Sequence, residues 1–353
     1  MKGQDRVLIV TETLPPDPNG VALIARRTAE ILARERCVSL LGPRCIDIPP
    51  GVQHLPMRRT PLGNRDLRLP APNPSLILQA VRAASQVIIH TPGLVSSIAL
   101  YYARRLRKHT TLFLHNDYRQ LVRYALPDSP IRVPLEWAAA LVERWAVSSA
   151  DRVISSCAAA YSKVEVLSIR APVFPCSSPA GLGDGQVTIA YHGRLSPEKS
   201  VDATVRAIAA VDPAHDKIRF RIVGAGSLLQ STLSLGHSLG VPVEHVPWCA
   251  EPRDHLTTAQ IYVTASREET FSISTLEAMG CGLPVIARAV GSIPSYLHHG
   301  ENGLLFERDR ELPDLIRLLV TDENLRLSLG QAARDAAIDK SIWEQFAEAS
   351  VRN

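Results

Sequence analysis

The chain has 353 residues, of which 46% are hydrophobic and 21% are charged, and this length predicts about two globular domains. The composition excludes a chain dominated by disorder or low-complexity repeats. A net charge of +4 is too small to indicate nucleic-acid binding, and no zinc-finger spacing, aromatic RNA-binding motif or long basic run accompanies it. The mild basic excess reflects either genome composition or anionic partners such as nucleotide phosphates or an acidic membrane surface.

The six cysteines form no C-x-x-C pair, so neither a metal knuckle nor a redox motif is indicated. The apolar run Val7–Val10 is too short for a signal-peptide core and suits a buried strand. No apolar stretch reaches the ~18–20 residues that span a bilayer. We therefore expect a cytoplasmic protein, with any membrane contact peripheral and on the inner face.

Short apolar runs alternate with amphipathic stretches in the first half of the chain. They predict strands and helices that alternate, a pattern typical of a parallel sheet covered on both faces. The strands are expected at Val7–Val10, Val38–Leu41, Val87–His90, Leu112–His115 and Val153–Ser155, and the helices at Val21–Arg34 and near Ser96–Leu106.

A Pro-, Gly- and Ser-rich segment, Ala171–Gln186, indicates a linker, after which the alternation restarts. We predict an N-terminal domain over residues 1–175 and a C-terminal domain over 186–340, followed by an amphipathic helix over 341–353. The second domain's expected elements are Thr188–Tyr191, Val201–Ala210, Phe220–Val223, Ser227–Leu239, Ile261–Thr264, Ser274–Met279 and Pro284–Ala287.

Open parallel sheets bind ligands at the carboxyl ends of their strands, and two carboxylates follow the strand that ends at Thr264. With a helix starting near Ser272, Glu277 is expected in its first turn and Glu269 in the preceding loop. The backbone N–H groups of Phe271 and Ser272 would then point at an anion, aided by the helix dipole. The alternative is that Glu277 only stabilises the helix N-terminus.

This segment reads Glu269-Thr-Phe-Ser-Ile-Ser-Thr-Leu-Glu277-Ala-Met-Gly-Cys-Gly-Leu-Pro284, and it resembles the E-x7-E motif of glycosyltransferase family 4. The family has the GT-B fold, an α/β architecture of two Rossmann-like domains facing each other across a cleft. The resemblance implies that Glu269 contacts a donor sugar and Glu277 the nucleotide ribose. Thr270 replaces the family's common glycine, as in a subgroup that carries E-T-F.

The loop Tyr191-His-Gly-Arg-Leu-Ser-Pro-Glu-Lys-Ser200 resembles the family's G-R-L-x-x-E-K loop. The resemblance implies that Arg194 and Lys199 hold the donor diphosphate, where fixed cations stabilise the charge that develops on the leaving group. Gly193 in this loop, and Gly224 in a G-x-G after the next strand, are expected beside the donor. The alternative for Arg194 and Lys199 is two solvated surface cations.

Two segments of the first half resemble one subgroup of the family. Asn19-Gly20, in the loop after the first strand, is expected as a turn close to the donor phosphate and sugar. His115 is expected to face the donor sugar near the reacting carbon, with Asp117 and Tyr118 on the acceptor side. A histidine after a strand also serves structural roles, and that alternative stays open.

The resemblance covers nearly the whole chain and implies a retaining hexosyltransferase that uses a UDP- or GDP-sugar. It implies no cofactor and, without a D-x-D motif, no metal; the final helix is expected to cross back to the first domain. The subgroup glycosylates diacylglycerol-type lipids with sulfoquinovose, mannose or glucose, so a lipid or glycolipid acceptor is expected.

The basic stretch Tyr101–Lys108 and the loop Met57–Leu69 are expected to meet anionic headgroups. They also fit a solvated helix face and a surface loop. Three functional alternatives remain: transfer to a soluble cyclitol or natural product, a nucleotide-sugar 2-epimerase, and a degenerate transferase that serves as a binding scaffold.

Overall fold

A computed structural model describes residues 5–15, 20–63, 68–115, 122, 132–155, 164–166, 185–214, 216–249, 252–269, 271–336 and 342–351. The chain divides into two compact units. Unit 1 comprises Met1–Leu167 with Trp343–Asn353, and unit 2 comprises Ser168–Ile342. The expected linker Ala171–Gln186 lies outside the described residues except for its last two.

Each unit has a parallel sheet. In unit 1 the strand order is β3-β2-β1-β6-β7-β8-β9, and in unit 2 it is β12-β11-β10-β13-β14-β15. The strands of unit 1 are β1 (Arg6–Thr11), β2 (Cys37–Pro43), β3 (Val52–Met57), β4 (Arg59–Gly63), β5 (Arg68–Pro70), β6 (Gln86–His90), β7 (His109–Leu114), β8 (Arg152–Ser155) and β9 (Val164–Val166). Those of unit 2 are β10 (Val187–His192), β11 (Ile218–Val223), β12 (Val243–Val246), β13 (Ile261–Thr264), β14 (Val285–Arg288) and β15 (Leu304–Phe306).

The helices connect successive strands, as parallel pairing requires. Those of unit 1 are α1 (Gly20–Leu32), α2 (Pro74–Ala83), α3 (Leu94–Arg105) and α4 (Arg132–Ser149). Those that follow are α5 (Val201–Val211), α6 (Leu229–Ser238), α7 (Arg253–Leu256), α8 (Ile273–Gly280), α9 (Leu312–Thr321), α10 (Glu323–Asp335) and α11 (Ile342–Val351).

The strands of unit 1 are apolar along their length because both faces of the sheet are covered. Leu8 and Val10 of β1 belong to a core that includes residues of α2 and α3. The ring of Phe113, on β7, lies 6.2 Å from that of Phe346 in α11. The final helix is also tied to β6, where the Gln86 side chain donates to the Ser350 carbonyl at 3.1 Å.

The core of unit 2 follows the same rule, with inward residues of β10, β11 and β13 packed against α5 and α9. Ile189, Phe220 and Val263 are all fully buried in it. The predicted alternation of strands and helices in two α/β domains is therefore confirmed.

The expected loop over Met57–Leu69 is wrong, because β4 and β5 pair as an antiparallel hairpin within it. The hairpin holds itself by backbone hydrogen bonds, which side-chain hydrophobicity does not reveal. His115 was also assigned to a strand, but β7 ends one residue earlier, at Leu114.

Candidate functional site

The order of strands reverses between β10 and β13 in unit 2, and the loops that follow such strands diverge and leave a crevice. The loop after β10 carries Arg194 and Lys199, and the loop after β13 carries Glu269. The structure brings two of these together, since Lys199 Nζ donates to Glu269 Oε1 at 2.8 Å. Residues 70 positions apart in sequence thus form one ion pair at the carboxyl edge of the sheet.

Arg194 has its own partner on the same loop. Its guanidinium donates to Glu198 Oε1 at 2.8 Å, and the Ser196 hydroxyl donates to the same oxygen. Burial opposes ionisation of Glu198, but the Ser196 hydrogen bond and the Arg194 charge outweigh it and lower the pKa of this carboxyl. The loop therefore holds a fixed, ionised pair beside the Lys199–Glu269 pair.

The side chains of Arg194 and Lys199 are only 29% and 20% exposed. This burial and their ion pairing disagree with the interpretation of the two as solvated surface cations. A lysine has three N–H donors and an arginine five, so each keeps donors after bonding its carboxylate. Both side chains can therefore bond a further anionic group without leaving their partners.

Glu277 lies just beyond the first turn of its helix, whereas the sequence analysis places it within that turn. Ser272 is the N-cap of α8, so Glu277 is the fifth helical residue. Its Oε2 lies 3.4 Å from Nδ1 of His192, which is close enough for an electrostatic contact. Within the described residues neither of these two buried atoms has a hydrogen-bond partner, which is a costly arrangement.

His192 was not identified from the sequence. The only signal was its position, because it is the last residue of β10 and precedes the predicted Gly193 directly.

Ser272 has left-handed backbone geometry, with φ 44° and ψ 65°. Glycine tolerates this region best, which explains why the family motif carries glycine at this position. The Ser272 hydroxyl lies 2.8 Å from that of Thr275, and the neighbouring Phe271 is buried. Thr270 lies outside the described residues.

Gly193 and Gly224 pack directly against each other. A Cβ on Gly224 would lie 1.9 Å from the Gly193 carbonyl oxygen, and one on Gly226 would lie 2.2 Å from that of Leu195. Leu195 N–H also donates to the Ala225 carbonyl at 2.9 Å. The two glycines of the G-x-G are therefore required for packing, because a side chain at either position would prevent contact between the loops after β10 and β11.

Three tyrosine hydroxyls hold the backbone of these loops. Tyr191 donates to the Arg194 carbonyl at 2.8 Å, Tyr262 to the His192 carbonyl at 3.2 Å, and Tyr296 to the Phe271 carbonyl at 3.1 Å. Burial raises the pKa of all three hydroxyls, which keeps them protonated as donors. Sequence analysis missed them because a tyrosine in or near a strand looks like an ordinary core residue.

Two histidines lie at the carboxyl edge of the unit 1 sheet. His90 ends β6 and His115 follows β7, and His90 Nδ1 shares a 2.9 Å hydrogen bond with His115 Nε2. Burial lowers the pKa of His115 to about 3, and burial together with the neighbouring imidazole also lowers that of His90. Both rings are neutral near pH 7, and one proton lies between them.

Glu12, just after β1, is another buried group that sequence analysis missed. Its carboxyl accepts from the Ser96 N–H at 2.9 Å, at the start of α3, and burial raises its pKa. The Glu12 side chain packs against Gly93, where it fits because this residue has no side chain. A Cβ at Gly93 would lie 2.3 Å from the Glu12 side chain. Thr91 has φ 70°, a strained value for a β-branched residue.

The other residues predicted at the site lie in the first half of the chain, and the structure describes only some of them. Gly20 is the first residue of α1, one residue earlier than the predicted start of this helix at Val21. The other half of the expected Asn19-Gly20 turn is not among the described residues. Asn19, Asp117 and Tyr118 lie outside the described residues. Within the described part of the chain, no group of three or more His, Cys, Asp or Glu side chains is arranged to hold a metal ion.

Residues 178–336, which carry the Lys199–Glu269 pair, match the sequence model of the family described as "Glycosyl transferases group 1". This segment is similar to the group 1 glycosyl transferases. The match covers all of the predicted donor-side residues in unit 2.

Two relatives match about half of the chain. D-inositol 3-phosphate glycosyltransferase from Segniliparus rotundus is 30% identical over 179 residues, which cover 48% of this chain and 39% of the relative. N-acetyl-alpha-D-glucosaminyl L-malate synthase from Bacillus anthracis is 28% identical over 171 residues, which cover 47% of this chain and 43% of that protein. The chain thus aligns with about two fifths of the length of these relatives.

Solved structures match over both units. WaaG, a glycosyltransferase involved in lipopolysaccharide biosynthesis, has a TM-score of 0.73 at 16% identity over 98% of each chain. Anabaena HepE, solved with UDP and glucose, has a TM-score of 0.70 at 15% identity, again over 98% of each chain. At such identity the likeness concerns the fold, and it confirms the predicted GT-B class of two Rossmann-like domains.

Proposed function

We propose that this protein is a retaining glycosyltransferase that moves a hexose from a nucleoside diphosphate sugar to a hydroxyl group of a small polar acceptor. The observation that carries the proposal is the Lys199–Glu269 pair within the segment that is similar to the group 1 glycosyl transferases. In the reaction the bond from the anomeric carbon to the phosphate oxygen breaks, and a bond to the acceptor oxygen forms. The acceptor proton passes to the leaving diphosphate, on the same face of the sugar.

Arg194 and Lys199 have spare N–H donors for the diphosphate. Preorganised cations stabilise the negative charge that grows on the leaving group, and they need no rearrangement because Glu198 and Glu269 already hold them in place. The N-terminus of α8 adds a favourable dipole. We propose that these groups take the role that a divalent cation has in other transferases.

The two neighbouring carboxylates have separate roles in this proposal. Glu269, next to Lys199, accepts hydrogen bonds from hydroxyls of the donor sugar. Glu277, which lies beside His192, accepts hydrogen bonds from the ribose hydroxyls.

The acceptor is proposed from the relatives. Their names specify inositol 3-phosphate and malate, both small, polar and hydroxyl-bearing. This favours the soluble-acceptor alternative over the lipid acceptor implied by the glycolipid subgroup. A lipid acceptor is the second candidate, and the exposed apolar residues of α4 favour it.

The first experiment is a thermal-shift screen against UDP, GDP, ADP and their sugar conjugates. A ligand at 100 times its Kd should stabilise the protein by about 2.7 kcal/mol. Inositol phosphate, malate and a dispersed diacylglycerol are then offered with the donor that binds, and proton NMR of the product reports the anomeric configuration. Stabilisation by no nucleotide would overturn the donor assignment, and an inverted product would overturn the proposed mechanism.

A further inference from the structure

Helix α4 presents an apolar stripe to solvent. Val133, Trp137, Leu141 and Trp145 recur every four residues and so share one side of the helix. Trp137 is 70% exposed, Leu141 64% and Val133 53%. Soluble proteins expose single large apolar residues commonly, but a contiguous row with two tryptophans marks an interaction surface.

An ordinary surface helix buries its large apolar side chains, whereas α4 buries small ones and leaves its large ones exposed. Arg132, Glu136 and Glu143 lie together on the opposite side of the helix from the stripe and are partly exposed. Arg144 is the one charged residue among the exposed positions of this helix, which are 133, 134, 135, 137, 138, 141, 142, 144, 145 and 148. The exposed side of α4 is therefore mainly apolar.

Positive charge adjoins this stripe. Helix α3 packs against α4, and Arg104 donates to the Ser149 hydroxyl at 3.0 Å, which links the C-terminal ends of the two helices. Residues 94–108 contain four cations and no acidic residue. The cations are Arg104, Arg105, Arg107 and Lys108. An apolar stripe beside such a cluster is complementary to a surface that is apolar inside and anionic outside.

A second copy of the chain fits this surface less well. The 18 residues of α4 span about 27 Å at a width of about 10 Å, so the outward side projects to about 270 Å². A stable interface buries about 800 Å² per partner. Binding to a bilayer has no such minimum area, because the binding free energy increases with each apolar side chain that enters the membrane. Tryptophan in particular favours the headgroup region.

We propose that α4 docks this protein onto an anionic lipid bilayer, lying in the interface with the Val133–Trp145 stripe at the boundary between headgroups and acyl chains. Arg144 and the basic end of α3 contact the anionic headgroups. Among the described residues no helix is long and apolar enough to cross a membrane, so the docking is peripheral. This inference does not depend on the proposed sugar transfer or on which acceptor is used.

The test is co-flotation with vesicles of phosphatidylcholine, with or without phosphatidylglycerol, without any substrate. Wild type should float with the anionic vesicles, and Trp137→Gln/Leu141→Gln should lower the partition coefficient about tenfold or more. Arg105→Gln/Arg144→Gln should weaken the preference for anionic vesicles and leave the salt-insensitive part of the binding unchanged. Leu318→Gln/Leu327→Gln, which alters exposed leucines of α9 and α10 in unit 2, is the matched control and should bind as wild type.

Three outcomes would overturn the proposal. They are absence of wild-type flotation with anionic vesicles, equal loss in the unit 2 control, and a dimer in sedimentation velocity that Trp137→Gln/Leu141→Gln dissolves. A thermal unfolding midpoint equal to that of wild type establishes for each variant that the fold is intact. Because no turnover is measured, failure here is distinct from failure of the proposed enzymatic activity.

Discussion

The carboxyl edge of the sheet in unit 1 carries two buried histidines and a buried glutamate, whereas the same edge in unit 2 carries ion pairs among lysine, arginine and glutamate. The unit 1 groups are nearly inaccessible, and burial pushes His90, His115 and Glu12 toward their neutral forms. In unit 2 the ion pairs include Lys199–Glu269, whose atoms lie 2.8 Å apart.

The two sheets share one architecture, but the side chains at their carboxyl edges differ in charge and exposure. Charges that are paired yet partly exposed can exchange part of their bonding for an anionic ligand. Neutral groups in a dry site instead fix geometry, because each lost hydrogen bond leaves a buried partner unsatisfied. We expect unit 2 mutations to act mainly on ligand chemistry and unit 1 mutations mainly on stability and its pH dependence.

The largest expected effect is on activity. Lys199→Ala should lower kcat of sugar transfer by about 10²–10³-fold, because it removes a cation from the developing charge and leaves Glu269 unpaired. Steady-state kinetics with the donor found in the nucleotide screen measures it. Lys217→Ala, an exposed lysine of unit 2, is the control. If Lys199→Ala had the wild-type kcat, the proposal that this edge of unit 2 stabilises the leaving group electrostatically would be wrong.

The second prediction concerns acid stability of unit 1. The pKa of His115 is lowered from 6.5 to about 3, so the unfolded chain binds a proton that the folded state excludes. The stabilisation is present above pH 6.5 and is lost as pH falls toward 3, by at most about 1.4 kcal/mol per pH unit for one histidine. Urea unfolding of wild type and His90→Phe/His115→Phe measures it, and the double variant should show a shallower acid loss. Parallel pH profiles would mean that the histidines titrate normally.

Glu12 should show the opposite pH sign. Its pKa is raised above 4.5, so the folded state favours the neutral carboxyl, and this contribution is lost as pH rises through the folded pKa. Relative to wild type, Glu12→Gln should therefore gain stability as pH increases from 4 to 8. Chemical unfolding across that range is the measurement. A constant difference between the two proteins would show that burial does not hold Glu12 neutral.

The smallest effect is expected at Ser272, whose left-handed backbone glycine adopts at lower cost. Ser272→Gly should stabilise the protein by up to about 1 kcal/mol, less a few tenths for the lost contact with the Thr275 hydroxyl. Differential scanning calorimetry measures the change. Ser200→Gly, at φ 46° before α5, is the matched variant and should gain a similar amount. A loss above 1 kcal/mol at Ser272 alone would show that its hydroxyl has a structural role there.

The sequence by itself determined the class of fold and the positions of the motifs proposed to bind the donor. Apolar runs such as Val7–Val10 identify strands buried on both faces, and the Glu269–Pro284 motif is local, so its resemblance is readable without coordinates. Contacts between polar side chains that are far apart in the chain could not be predicted from the sequence. The Lys199–Glu269 and His90–His115 contacts join different loops or strands, and strand order decides which loops are neighbours.

Only the tertiary structure showed which of these side chains are buried and which are exposed. Glu12 lies in the loop after β1, yet its side chain is buried beside the start of α3, and this burial raises the pKa of its carboxyl. Trp137 reads as a core residue, yet α4 turns it outward. The physical reason is the same in both cases. Burial is a property of what packs against a side chain, and residues far apart in the chain supply that packing.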